Sequence, residues 1–215
     1  MNRSFLSPLS LATFACAVTC ILPASLYAAP KVEILPQNPK VTVCANPVFN
    51  VSVPGLQNKV PTRQPDERAP MWIEIEADFN TAEEFQELTF KFGMVVLPVG
   101  AAKPKLLEGE VTLVDVQVGK SRHAVMYVPP KTVFRMSPPK LPFQVNTVRA
   151  SWVQVYAGSE KVAERFYSNF QGATLEGVLR DKETYEKITG GLVHKDTTPF
   201  AHLFLDYYES MKPSR

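Results

Sequence analysis

Apolar positions recur along most of this chain at every second residue. The run Met71-Trp72-Ile73-Glu74-Ile75-Glu76-Ala77-Asp78-Phe79 sets Ile73, Ile75, Ala77 and Phe79 on one face and acids on the other, the pattern of a half-buried strand. Leu88, Phe90, Phe92, Met94 and Val96 repeat it, as do Val114, Val116 and Val118. Ala124, Met126 and Val128 continue it beyond a turn at Gly119-Lys120-Ser121, and Leu141, Phe143 and Val145 alternate likewise. Two further runs, 150–156 and 162–167, flank Ala157-Gly158-Ser159-Glu160. That is a hairpin signal, because glycine accepts the positive φ a tight primed turn needs. With 32–35 and 41–53 added, the chain holds about eight or nine short strands, and that number at that spacing predicts a mainly β fold, an antiparallel sandwich of immunoglobulin-like type. The Cys…Trp…Cys spacing of antibody domains is absent from the sequence.

Two stretches break the alternation. Residues 57–70 carry Pro61, Pro65 and Pro70 among five charged side chains, with little to bury, and predict a long mobile loop. Thr81-Ala82-Glu83-Glu84 fits a capping box and predicts one helical turn. After about residue 170 the period lengthens. Leu175, Val178, Leu179, Tyr185 and Ile188 predict a helix over 174–189, closed by Gly190-Gly191. Thr198-Pro199 then supplies a cap and a first-turn proline for a last helix. Its stripe is Phe200, Leu203, Phe204, Tyr207, Tyr208 and Met211. That face either packs on the sandwich or docks a partner through Phe200, Phe204, Tyr207 and Tyr208, since clustered aromatics suit a recognition surface.

The N-terminus changes the setting of the fold. Arg3, an apolar run from Phe5 to Leu22 and small residues around Ala24 to Ala29 form a secretory signal over 1–28. The expected organisation is therefore 1–28 signal, 29–170 sandwich and 171–215 C-terminal helical segment. Cys16 and Cys20 leave with the signal, and neither follows a lipoprotein-type approach. Cys44 is then the one thiol of the mature chain, with no partner for an intramolecular bridge. It reads as a small half-buried apolar residue. About 185 mature residues can bury roughly 70% of their unfolded surface without such a staple.

Charge is nearly balanced, at +2 for the full chain, with no basic block. This argues against nucleic acid and against polybasic membrane binding. After the signal no apolar stretch reaches the length of a helical membrane span.

Candidate chemistry is sparse. His123, His194 and His202 have no sequence neighbours at metal or triad spacing, and no HExxH occurs. His202 and Asp206 stand four apart, an ordinary helix-surface pair. Gly119-Lys120-Ser121 resembles the end of a phosphate loop, but Val114 occupies the first glycine position. Ser137-Pro138-Pro139-Lys140 matches S-x-x-K, yet two prolines after the serine forbid the helical turn that motif requires. Asn50-Val51-Ser52 is a formal glycosylation sequon. These observations lead to no catalytic set, no metal and no cofactor. Trp72 and Trp152, with Tyr127 and Tyr156, could form a stacking platform for sugar, so a carbohydrate-binding or adhesin-like module is the alternative to a protein-contact role. A hydrolase using His123 or His202 is a further rival.

Taken whole, residues 31–215 resemble an exported immunoglobulin-like protein associated with the type IV pilus system of Akkermansia-type bacteria. The resemblance lies in the overall run, including Val32 to Lys40 and Leu203 to Tyr208. It implies a sandwich without enzyme activity, periplasmic or at the cell surface, working within pilus or related secretion machinery. The partners to expect are envelope or pilus proteins, with further copies of the chain as another option. It supplies no functional residues.

Overall fold

The computed structural model describes residues 31–47, 71–137 and 142–213. The expected signal, the loop expected over 57–70, the sequon and residues 138–141 lie outside the described residues, as does the 48–53 part of the second expected strand.

The fold is an immunoglobulin-like β-sandwich of two five-stranded sheets. In the first, β1 (Val32–Ile34) and β2 (Lys40–Ala45) share one edge of β3 (Met71–Thr81). The other edge of β3 pairs β6 (Gly119–Val128), and β6 pairs β10 (Val193–His194). The second sheet runs β8 (Glu160–Ser168), β7 (Val148–Ala157), β4 (Phe85–Val96), β5 (Lys105–Val116) and β9 (Glu186–Lys187). Every pairing is antiparallel except β5 with β9.

The alternation places the core between the sheets. Ile73, Ile75, Ala77 and Phe79 of β3 meet Phe90, Phe92 and Met94 of β4, with Val153 and Val155 of β7 beside them. Phe79 and Phe90 lie 4.8 Å apart at their ring centroids. Each such side chain contributes roughly 1.5–3 kcal/mol by leaving water. The predicted hairpin forms between β7 and β8, with Gly158 at φ +61°.

Both sheets are also covered on their outer faces, which the period-two pattern does not predict. Helix α2 (Leu175–Asp181) lays Leu175, Val178 and Leu179 over Val95, Leu106, Ala150 and Trp152 of the second sheet. The chain then crosses the open side of the sandwich through β9 and β10. It continues as a strap over the outer face of the first sheet, where Phe200, Leu203 and Tyr208 pack on Trp72, Val125 and Tyr127. The strap ends on β5, where Ser210 O accepts from Val114 N at 2.9 Å and Lys212 N donates to Thr112 O at 2.8 Å.

Several expected elements take another form. The last helix is replaced by a 3-10 turn at Lys195–Thr197 and a series of turns, with Phe204 at φ +55°. His202, Phe204, Asp206, Tyr207, Tyr208 and Ser210 are weak helix formers, and Phe200, Tyr207 and Tyr208 each take a separate site on the sheet, which one straight stripe would not allow. The 174–189 helix stops at Asp181, because Glu186 and Lys187 satisfy the free edge of β5. Strand β5 begins at Lys105, well before Val114. Leu106 faces α2 and Leu107 faces the core, so burial on both sides hides the alternation.

The turn expected at Gly119-Lys120-Ser121 is already the start of β6. Residues 82 and 83 are bends and 84 is irregular, without a helical turn. A short helix α1 (Pro130–Met136), with Pro130 in its first turn, follows β6. Of the strand expected around 141–145, the described residues 142–144 are irregular and Val145 opens a 3-10 turn at Val145–Thr147.

Candidate functional site

Of the acids that alternate with the core residues of β3, Glu76 and Asp78 are buried and Glu74 is half-buried. Register places Glu74 opposite Tyr127, Asp78 opposite His123 and Glu76 opposite Lys40 of β2. The strap closes over them. Glu76 and Asp78 are 9% and 7% exposed, which is far below the usual exposure of carboxylates.

Four groups converge there. His123 Nδ1 lies 2.9 Å from Asp78 Oδ1 and 3.2 Å from Glu76 Oε1. Lys40 Nζ pairs with Asp78 Oδ2. The backbone N–H of Asp78 donates to Asn38 Oδ1 at 3.0 Å, fixing the strand at this point. Tyr207 stacks on the His123 ring at 3.8 Å and 17°, with Tyr208 edge-on at 6.4 Å. Beside them the Tyr127 hydroxyl donates to Glu74 Oε2 at 2.7 Å. Arg122 pairs with Glu209 and holds the strap where it leaves the site.

Glu76 and Asp78 are driven in opposite directions. Burial, reinforced by the charges of Asp78 and Glu74, pushes the Glu76 carboxyl above the usual range. Burial opposes ionisation of Asp78 too, but the hydrogen bonds from Lys40 and His123 outweigh it and hold that carboxyl below the usual range. Burial, and then the field of Glu76 and Asp78, raises the Tyr207 phenol to about 12. The set is a negatively biased, half-roofed pocket whose imidazole and two carboxylates meet at one point, an arrangement suited to holding a proton or a cation.

The residues singled out from sequence separate into different places. Phe200 is buried, stacked on Tyr127 at 4.7 Å, and Tyr208 is half-buried with Lys195 Nζ 5.1 Å above its ring. Phe204 and Tyr207 are 65% and 47% exposed. The four therefore form no single docking face; Phe200 and Tyr208 fasten the strap, Phe204 faces outward, and Tyr207 lays one face on His123 while staying 47% exposed. Trp72 and Trp152 lie on different sheets, 8% and 3% exposed, so neither offers an open ring face to sugar.

Trp152 sits at the floor of an open groove of about 570 Å³ beside α2. Charges in that groove pair with one another, Lys187 and Lys182 with Glu108. His202 is exposed, and His194 lies in β10. Cys44 is half-buried; burial, then the charge of Glu74, pushes its thiol up to about 11. Glu76, Asp78 and Lys40 were not recognisable from sequence spacing, since only strand register brings them to His123.

A protein-family model matches residues 27–215. The chain belongs to that family. The match runs through the sandwich and the whole C-terminal segment, so the strap and its anchors lie within the part the family shares. A crystal structure of a protein from Akkermansia muciniphila has a TM-score of 0.66 to this chain at 22% sequence identity, covering 86% of this chain and 94% of that one. At that identity the likeness is one of fold. No curated protein matches the chain.

Proposed function

We propose that this protein is an exported, non-enzymatic component of a cell-envelope assembly, type IV pilus or related secretion machinery, acting by protein contacts from the periplasm or the cell surface. One observation carries the contact role. Phe204, Leu205 and Tyr207 are 65%, 66% and 47% exposed, close together on one strap. The strap is clamped on both sides of them, by Phe200 and Tyr208 on the aromatic cluster and by Glu209 on Arg122. Apolar side chains held outward on a fixed support form a recognition surface with little ordering left to lose on binding. The signal-like pattern expected over 1–28 and the overall sequence resemblance are what support envelope partners for that surface.

The test is to cross-link native cells, purify the protein with its neighbours and identify them by mass spectrometry. Recovery of pilus or secretion-channel subunits is the expected result. Recovery of no envelope machinery rejects the reading and turns attention to glycan binding.

A further inference from the structure

We propose that Glu76, Asp78 and His123 form a binding site for one first-row divalent metal ion, with zinc the preferred occupant, on the outer face of β3 beneath Tyr207.

Three donor atoms carry the geometry. One donor atom from each of Glu76, Asp78 and His123 lies within 4.8 Å of the other two. Zinc bonds of about 2.0–2.2 Å to imidazole nitrogen and carboxylate oxygen put neighbouring ligands about 3.3 Å apart in a tetrahedral shell. The observed separations from Nδ1, 2.9 and 3.2 Å, need to open by only a few tenths of an ångström.

A second observation points to a ligand at this spot. Glu76 is 9% exposed; the Tyr207 hydroxyl reaches its carboxylate, yet its Oε1, 3.2 Å from His123 Nδ1, makes no hydrogen bond of its own. One nitrogen can give one proton, and the hydrogen bond goes to Asp78. Glu76 Oε1 is thus left an unmet acceptor, a condition that buried polar atoms rarely keep without a partner or an ion. A divalent ion satisfies both carboxylates at once.

Charge favours it as well. Three acids of β3 face this side, Glu74 is occupied by Tyr127, and Lys40 takes only the other oxygen of Asp78. An imidazole donor selects zinc and its transition-metal neighbours over magnesium or calcium, which prefer oxygen. A water or the Tyr207 phenol completes the shell. Because Tyr207 is the lid, an occupied site would fix the strap that carries Phe204 and Leu205.

The experiment uses the untagged mature chain, stripped with EDTA and titrated calorimetrically with zinc chloride at pH 7.5, beside Glu76→Gln, His123→Ala and Lys40→Met. Glu76→Gln removes a ligand and a buried like charge, so it should fold. The expected result is one ion per chain with micromolar or tighter affinity, weakened at least about tenfold in Glu76→Gln and His123→Ala and unchanged or tightened in Lys40→Met. X-ray absorption should show a shell of nitrogen and oxygen without sulfur. Failure of the wild-type chain to bind zinc, or binding that survives unchanged in Glu76→Gln, overturns the proposal and leaves the cluster a structural ion pair. This outcome is independent of whether the protein has an envelope partner.

Discussion

Tyr207 lies flat on His123, ring centroids 3.8 Å apart and planes 17° from parallel. A strand of the sandwich and the C-terminal strap, elements far apart in sequence, are thereby joined directly over Glu76 and Asp78. The contact helps to bury Glu76 and Asp78, which are 9% and 7% exposed. Without the strap, their face of β3 would be the solvated side of an ordinary antiparallel sheet.

The strap divides into anchors and outward-facing residues, and the two should respond differently. Tyr208→Ser removes a ring from the Trp72, Tyr127 and Phe200 cluster and should lower stability by about 2 kcal/mol. Phe204→Ser touches an exposed ring and should change stability by less than about 0.5 kcal/mol. Urea denaturation of the two variants checks the contrast. Equal losses would show that Phe204 is also a structural anchor.

The neighbouring acids should give stability effects of opposite sign. Asp78 has its folded pKa held down, so it stabilises the fold above the ordinary carboxylate pKa of about 4, and that stabilisation is lost as pH falls through its folded value. Glu76 has its folded pKa raised, so stability falls as pH climbs from the ordinary glutamate value through the folded one. In EDTA at pH 7, Glu76→Gln should therefore stabilise the protein and Asp78→Asn should destabilise it by about 1.5–3 kcal/mol. Unfolding curves between pH 4 and 8 measure both.

Gly93 is fixed by the ring of Trp152. A Cβ at Gly93 would stand 2.0 Å from that indole, and the ring is held under α2 with Leu175, Val178 and Leu179. Gly93→Ala should cost about 1–3 kcal/mol by displacing the ring, with a change in near-ultraviolet circular dichroism. An unperturbed spectrum at wild-type stability would mean that α2 yields freely and is not a fixed cover.

The sandwich was legible because β3, β4, β7 and β8 bury one face in the core and keep period two in their sequence. The hairpin at Gly158-Ser159 was legible for the same local reason, its turn chemistry. The start of β5 was hidden because Leu106 and Leu107 are both buried, on opposite sides. The last helix was expected from the spacing of Phe200, Leu203, Phe204, Tyr207 and Tyr208. Spacing reports which residues share a face only if the segment is already helical, and here the sheet surface decided otherwise. The His123 cluster depends on register between β2, β3 and β6, together with the path of the strap. A sequence without sheet pairing does not contain that information, although three acids at alternate positions of β3 were visible from the start.

The most direct test of the contact role places a photo-cross-linking amino acid at residue 204 of the full chain in native cells, with residue 134 as an equally exposed control, since Phe134 is 66% exposed on α1. Irradiation at 204 should capture a pilus or secretion subunit that is not captured at 134, and a Leu205→Ser change should abolish that product while leaving the fold intact. Capture of no envelope protein at 204, or the same products at both positions, would contradict the account.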